Sequence, residues 1–323
     1  MPMLDMPLSE MKQYKGTNPR PADFDQYWEK ALSEMEALDP KVEMLRSGFQ
    51  TPAADCYDLY FTGVGGARIH AQLLMPKGLD KPAPAVLQFH GYTVDAGNWN
   101  GKLNFVNEGF VVAAMDCRGQ GGSSEDNAQV KGITVNGHII RGLEDSPEKL
   151  LYRSIFLDAA QLARIIMQMD CVDETRVGAM GMSQGGGLTV ACAALTPGIN
   201  RIGVTAPFLS DYQRVWEIDM VGEAYRELQD FFRRRDPLHE KEELYFTRLG
   251  YIDVHHLAPR IKAKTLFSIG LQDTSCPPVS QFAIYNNLDC EKKLLIYPDF
   301  GHEDFPWFWD KGFMFLCEMQ QTD

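Results

Sequence analysis

The sequence predicts an α/β fold, with one doubly wound, mostly parallel sheet that carries an N-terminal extension and a helical insert. Three observations lead there. Short apolar runs alternate with helical stretches along most of the chain, the pattern of right-handed βαβ units. Those runs end in Gly, Pro, Asp or His, residues that turn a chain at a strand end. Near the start, a Gly-rich break separates two alternating segments, as in an antiparallel hairpin.

Residues 21–38 read as an amphipathic helix. Phe24, Tyr27, Trp28, Ala31, Leu32 and Met35 share one face, after Pro21 and an Asp23 cap. Tyr57–Thr62 and Ala67–Leu74 flank Gly63, Gly65 and Gly66 and supply the hairpin. The strands of the main sheet are Ala83–Phe89, Phe110–Asp116, Arg176–Met182, Ile202–Pro207, Thr265–Leu271 and Lys293–Tyr297. Leu151–Met169 is helical, with Ile155, Leu162, Ile165 and Ile166 on one stripe. Residues 210–256 break the alternation with a charged helical insert that includes Phe231-Phe-Arg-Arg-Arg-Asp236. A lid over a site and a solvated cap both fit that composition. Neither a repeat nor a Pro/Gly linker interrupts the chain, so residues 1–323 read as one domain, with 1–80 as its extension.

Composition narrows the function. The 323 residues carry 31 Lys+Arg against 44 Asp+Glu, a net charge of −13 that repels phosphate backbones and anionic membranes. Nucleic acid and membrane are therefore not expected partners. Apolar residues at 45% and charged residues at 23% are globular values. The seven cysteines are odd in number and scattered, with no CxxC pair, which fits free thiols in a reducing compartment. With no basic and apolar leader at the N-terminus, the expected location is the cytoplasm.

Gly181-Met182-Ser183-Gln184-Gly185 sits between the strand Arg176–Met182 and a helical run, Gly187–Leu195, the context a nucleophile elbow requires. With 12 serines and 28 glycines, chance gives only ~0.09 such matches per chain. A serine hydroxyl needs a general base, usually His, oriented by a carboxylate. Asp273 closes the strand Thr265–Leu271, and His302 follows Lys293–Tyr297 and the turn Pro298-Asp-Phe-Gly301. Both stand at later strand ends, in the order Ser, acid, His. Asp299 and Asp304 rival Asp273 by proximity to His302 alone.

Acyl transfer also needs donors to the oxyanion. The backbone N–H of Gln184, directly after the nucleophile, is one. Tyr92, in His90-Gly91-Tyr92-Thr93 after the strand Ala83–Phe89, is assigned as the other. Tyr92, Phe208 and the Cys276–Pro277–Pro278 turn are expected to set the size of the acyl pocket. No cofactor or metal is called for. His239-Glu240-Lys-Glu-Glu243 lacks the second histidine of His-Glu-x-x-His, and His255 and His256 are expected on different faces of any regular element.

Taken together, Arg118-Gly119-Gln120, Gly181–Gly185 and His302-Glu303 resemble the acetyl xylan esterase / cephalosporin C deacetylase family, the seventh carbohydrate esterase family. The first motif lies within Asp116-Cys-Arg-Gly-Gln-Gly-Gly-Ser-Ser124, and the loop Gly132–Gly142 is also similar; the resemblance runs from Asp23 to Phe315. It implies an α/β-hydrolase that deacetylates small carbohydrates, including xylo-oligosaccharides, and cephalosporin C. It further implies cytoplasmic homo-hexamers with active sites facing the interior. By resemblance, Ser183 is the nucleophile, Asp273 the acid, His302 the base, and Tyr92 and Gln184 the oxyanion donors. Arg118, Gln120 and Glu303 are expected to support the site, with Glu303 pairing to the Arg118 loop. A prolyl-oligopeptidase-type peptidase shares the elbow, but 323 residues leave no room for its extra domain. A non-catalytic binding relative would commonly lack a triad member.

Overall fold

The structure, a computed structural model, describes residues 4–131, 138–219 and 225–320. Among these residues the strands are β1 (Glu43–Arg46), β2 (Ala54–Thr62), β3 (Arg68–Pro76), β4 (Ala83–Phe89), β5 (Val111–Met115), β6 (Val172–Met182), β7 (Arg201–Thr205), β8 (Lys264–Gly270) and β9 (Lys292–Tyr297). They form one sheet in the order β1-β2-β3-β5-β4-β6-β7-β8-β9. The pairings β1–β2, β2–β3 and β3–β5 are antiparallel. From β5 to β9 every pairing is parallel.

Helices α1 (Leu8–Met11) and α2 (Phe24–Glu36) precede the sheet, and α3 (Leu103–Asn107), α4 (Leu151–Met167) and α5 (Gln184–Leu195) alternate with its strands. The insert holds α6 (Tyr212–Glu217), α7 (Arg226–Arg235), α8 (Glu242–Gly250) and α9 (Val254–Leu257); α10 (Pro278–Asn287) and α11 (Phe308–Cys317) complete the chain. Strand β4 shows why its run is uniformly apolar. Leu87 joins the large core with α4 and α5, while Val86 joins a second cluster with Phe105 of α3 and Leu316 of α11. Both faces of a parallel strand are covered, and each fully buried side chain of this kind contributes ~1.5–3 kcal/mol. The chain leaves β4 for β5 on one side and returns to β6 on the other. In such open sheets the crevice outside the strand C-termini at this reversal is where ligands bind.

The six strands expected for the main sheet are present with boundaries close to those read from the sequence. Strand β6 starts earlier, at Val172, because a register irregularity between Ala83 and Ala85 lets Val172 pair with Ala83. Strand β1 was invisible in the sequence: all four residues are exposed, so no apolar alternation marks it. Asp23 precedes α2 but caps nothing with its side chain, which instead accepts the Tyr251 hydroxyl. The insert buries one face, with Leu228, Phe231, Phe232, Tyr245, Phe246 and Leu249 inward, and keeps Arg233, Arg234 and Arg235 exposed. Residues 132–137 of the Gly132–Gly142 loop, 220–224 of the insert, and 1–3 and 321–323 lie outside the described residues. No helix among the described residues is long and apolar enough to cross a membrane.

Candidate active site

Ser183 occupies the turn from β6 into α5 with φ 57° and ψ −122°, a left-handed backbone that costs ~1–3 kcal/mol and must be held by its surroundings. Three hydrogen bonds hold it. The Ser183 N–H donates to Thr205 O at 3.1 Å, and its carbonyl accepts from Gly187 at 3.1 Å and Phe208 at 3.0 Å. The flanking glycines are sterically required. A Cβ on Gly181 would lie 2.4 Å from the Gly185 carbonyl, and one on Gly185 would lie 2.0 Å from Phe89 O. Both obstacles are backbone. Ser183 therefore stands at the start of α5, whose first N–H groups have no intrahelical acceptor and carry the positive end of the helix dipole.

His302 Nε2 lies 2.9 Å from Ser183 Oγ, and His302 Nδ1 lies 2.8 Å from Asp273 Oδ2. Asp273 is fully buried and its remaining acceptor capacity is used. Oδ1 accepts from the Ser275 and Cys276 N–H groups at 2.9 and 2.7 Å, and Oδ2 accepts from Gln281 Nε2 at 3.0 Å. The rivals lie elsewhere: Asp304 accepts from Trp309, and Asp299 is exposed.

Around this line the sequence-predicted residues form a cross-tied frame. Gln184 and Gln120 exchange side-chain hydrogen bonds at 2.8 and 3.1 Å. Gln120 Oε1 also accepts the Thr93 N–H at 2.9 Å, and Gln184 Nε2 reaches Gly91 O at 3.2 Å. The loop 90–93 and the start of α5 are thus fixed to each other. Asp116 ties the segment that follows this loop to the Arg118 motif, accepting from Ala96 N at 2.8 Å and Ser123 N at 2.9 Å. The Tyr92 ring packs edge-on against Phe208 at 5.6 Å. Cys276 and Pro277 are buried. Burial, with the Asp273 charge adding, pushes the Cys276 thiol well up, so it stays neutral.

Two expectations are corrected. Arg118 does not meet Glu303. Its guanidinium is buried and forks onto Asp158 of α4 at 2.5 and 2.8 Å, with Val64 O at 2.7 Å. Glu303 is exposed and accepts the Gly301 N–H of its own turn at 3.0 Å. A buried guanidinium requires a buried carboxylate, and α4 offers one where the His302 loop does not. His255 and His256, expected on different faces, have ring centroids 3.9 Å apart, and both meet the N-terminal arm, at Gly16 and Asn18. With Asp253 they bring possible ligand atoms within 4.8 Å of one another. His255 Nδ1 lies at ion-pair distance, 2.7 Å, from Asp253 Oδ1, and His256 Nε2 donates to Asn18 O at 3.0 Å.

A model of the family described as acetyl xylan esterase (AXE1) matches residues 1–319. The chain belongs to this acetyl xylan esterase family of carboxylic ester hydrolases. The crystal structure of acetyl xylan esterase 1 from Thermoanaerobacterium sp. JW/SL YS485 is 54% identical, covers 98% of this chain and 100% of that one, and superposes with a TM-score of 0.97. An acetyl xylan esterase from Paenibacillus sp. R4 is 34% identical over 96% and 99% of the two chains, with a TM-score of 0.91. Acetyl esterase Axe7A of Xylanibacter ruminicola is 26% identical over 285 residues; the match takes in 86% of this chain and 62% of that relative's length. The fold is that of the α/β-hydrolases.

Several residues of this family member's site gave no sequence signal. Gln281 donates to Asp273 from α10, and the Tyr152 hydroxyl donates to Gln184 Oε1 at 2.8 Å from α4. Glu227 of α7 accepts the Tyr92 hydroxyl at 3.1 Å. Each stands in a helix, where its residue type is ordinary and its spacing from its partner follows no motif.

Proposed function

We propose that the chain is a serine esterase that removes acetyl groups from small acetylated carbohydrates such as xylo-oligosaccharides, and from cephalosporin C, through an acetyl-enzyme intermediate. The observation that carries this reading is the line Ser183 Oγ–His302 Nε2, His302 Nδ1–Asp273 Oδ2, with steps of 2.9 and 2.8 Å, at the start of α5. His302 takes the Ser183 proton as Oγ attacks the acetyl carbonyl. Asp273 holds the imidazole in the tautomer that leaves Nε2 free to accept and balances its charge once it is protonated. The backbone N–H groups of Gln184 and Tyr92 receive the oxyanion. His302 then protonates the departing sugar oxygen, and water repeats the sequence on the acetyl-enzyme. Tyr92, Phe208, Cys276 and Pro277 bound the acyl group. Small, apolar and neutral, that wall suits a methyl and disfavours a charged acyl chain.

Acetate release from acetylated xylo-oligosaccharides, and separately from cephalosporin C, tests this reading with wild type and Ser183→Ala. Loss of nucleophile or base costs on the order of 10⁴-fold or more, and loss of one oxyanion donor ~10²–10³-fold. Release that persists in folded Ser183→Ala would overturn the nucleophile, and its absence in wild type would overturn the substrate. Assembly as six copies belongs to the same proposal, and light scattering at working concentration reads it directly.

A further inference from the structure

We propose that Glu227, carried by the helical insert, is a positioning residue for ester hydrolysis: as a neutral carboxylic acid it fixes the oxyanion loop by accepting the Tyr92 hydroxyl. The inference rests on the proposed roles of Ser183 and of the Tyr92 N–H.

Glu227 lies in the first turn of α7 and is 4% exposed. Its Oε1 accepts two hydrogen bonds, from the Tyr92 hydroxyl at 3.1 Å and from the Ile139 N–H at 3.0 Å. Its Oε2 is buried and, among the described residues, has no hydrogen-bond partner. Two donors on one oxygen and none found on the other suit a neutral acid, whose hydroxyl oxygen needs no incoming donor, better than a carboxylate. A carboxylate in the same place would leave half of a buried charge unsolvated. The groups that face Glu227 do not offset such a charge. Tyr92 comes from the oxyanion loop, His138 sits 3.0 Å from the Tyr92 hydroxyl, and Tyr152 of α4 and Tyr212 of α6 lie within electrostatic reach. Burial lowers the basicity of His138, and among the described residues no Lys or Arg pairs with Glu227. Burial is likewise the dominant influence on the carboxyl itself. It raises Glu227 to about 8, against smaller opposing contributions from Ile139, Tyr92 and Ile140, so the acid is protonated at neutral pH.

The consequence for the reaction follows from where Tyr92 is tied. Its backbone neighbours are held by Gln120 and Gln184, but its side chain is anchored to the insert by Glu227. On this proposal the Tyr92 N–H keeps its aim while the ring stays packed on Phe208 and hydrogen-bonded to Glu227. Removing the anchor displaces that donor, and a misplacement of ~1 Å costs on the order of 10²-fold.

The test measures kcat and KM on p-nitrophenyl acetate from pH 6 to 10 for wild type, Glu227→Gln, Glu227→Met, Tyr92→Phe and the double variant Tyr92→Phe/Glu227→Met, with Ser183→Ala as control. Glu227→Gln keeps the acceptor and an uncharged second group. It is expected to hold kcat within ~3-fold of wild type and to lose the decline in rate that begins near pH 8 in wild type as Glu227 ionises. Glu227→Met removes the acceptor and is expected to lower kcat ~10–100-fold with KM nearly constant. Tyr92→Phe should match it, and the double variant should be no worse than either. Three results would overturn the proposal: full kcat in Glu227→Met, equal losses in Glu227→Gln and Glu227→Met, or additive losses in the double variant. If Glu227→Met does not fold, the pH profile of Glu227→Gln decides alone. Activity that survives in Ser183→Ala would mark failure of the underlying esterase reading, a different outcome.

Discussion

Removing one partner of the Arg118–Asp158 pair should reveal it as a structural anchor inside a functional motif. Arg118 is 2% exposed and Asp158 1% exposed, and the fork between them spans 2.5 and 2.8 Å. Desolvation and attraction pull against each other at both ends. At Asp158 burial wins and holds the carboxyl above its ordinary value; at Arg118 burial is outweighed by the Asp158 charge and the pKa rises. A pair so balanced contributes little net stability, yet removal of one member strands a buried charge at a cost of ~3–5 kcal/mol. Total stability for such a chain is ~5–15 kcal/mol, and at ~2–4 °C per kcal/mol the melting temperature of Asp158→Asn should fall by roughly 10 °C. The double variant Arg118→Met/Asp158→Leu removes both charges and should lie within ~2 kcal/mol of wild type, the residue of the cost being the unpaired Val64 carbonyl. Thermal unfolding of the four-member cycle reads these numbers. The reasoning fails if Asp158→Asn melts within roughly 2 °C of wild type, or if the double variant loses the sum of the two single losses. Glu303→Gln, on an exposed side chain, should shift stability by no more than ~0.5 kcal/mol.

Gly185→Ala sets a Cβ 2.0 Å from Phe89 O, which only backbone movement can relieve; in whatever folds, acetate release should fall ~10²-fold or more. Gln281→Leu removes a hydrogen bond to Asp273 Oδ2 and should cost ~1.5–3 kcal/mol by chemical denaturation, with a lower kcat wherever the protein stays folded. The His255–Asp253 pair gives stability a pH dependence. Burial opposes the charged form of each, but the partner's charge outweighs it, so His255 is raised and Asp253 lowered. The His255 contribution is complete below its ordinary value near 6.5 and is lost as pH rises through its raised value. The Asp253 contribution is present above 3.8 and is lost as pH falls through its lowered value. Thermal scans should therefore show stability declining as pH rises above the ordinary histidine value of 6.5 in wild type, and a flatter decline in His255→Leu.

The strand–helix alternation was legible because a parallel strand covered on both faces must be apolar throughout: Ala83–Phe89 and Val111–Met115 advertise themselves. Strand β1 was not, since an exposed edge strand needs no apolar face. The line Ser183–Asp273–His302 was legible because each residue sits at a strand end beside turn residues, and an elbow that admits no Cβ at two positions must write glycine there. Gln184 was read from its place after the nucleophile and Gln120 only through the family resemblance; their hydrogen bonds across 64 residues were not legible.

What the sequence determined by itself is whatever local geometry enforces: the periodicity that makes elements, the glycines of the elbow, and the order of nucleophile, acid and base along the chain. What only the tertiary structure decided is the pairing of buried charges and polar groups. Arg118 chose Asp158 over Glu303, Glu227 turned from a charged helix run to face Tyr92, and His255 and His256 came together over the N-terminal arm. Those choices depend on desolvation, which is a property of the packed environment and leaves no mark on residue type or spacing.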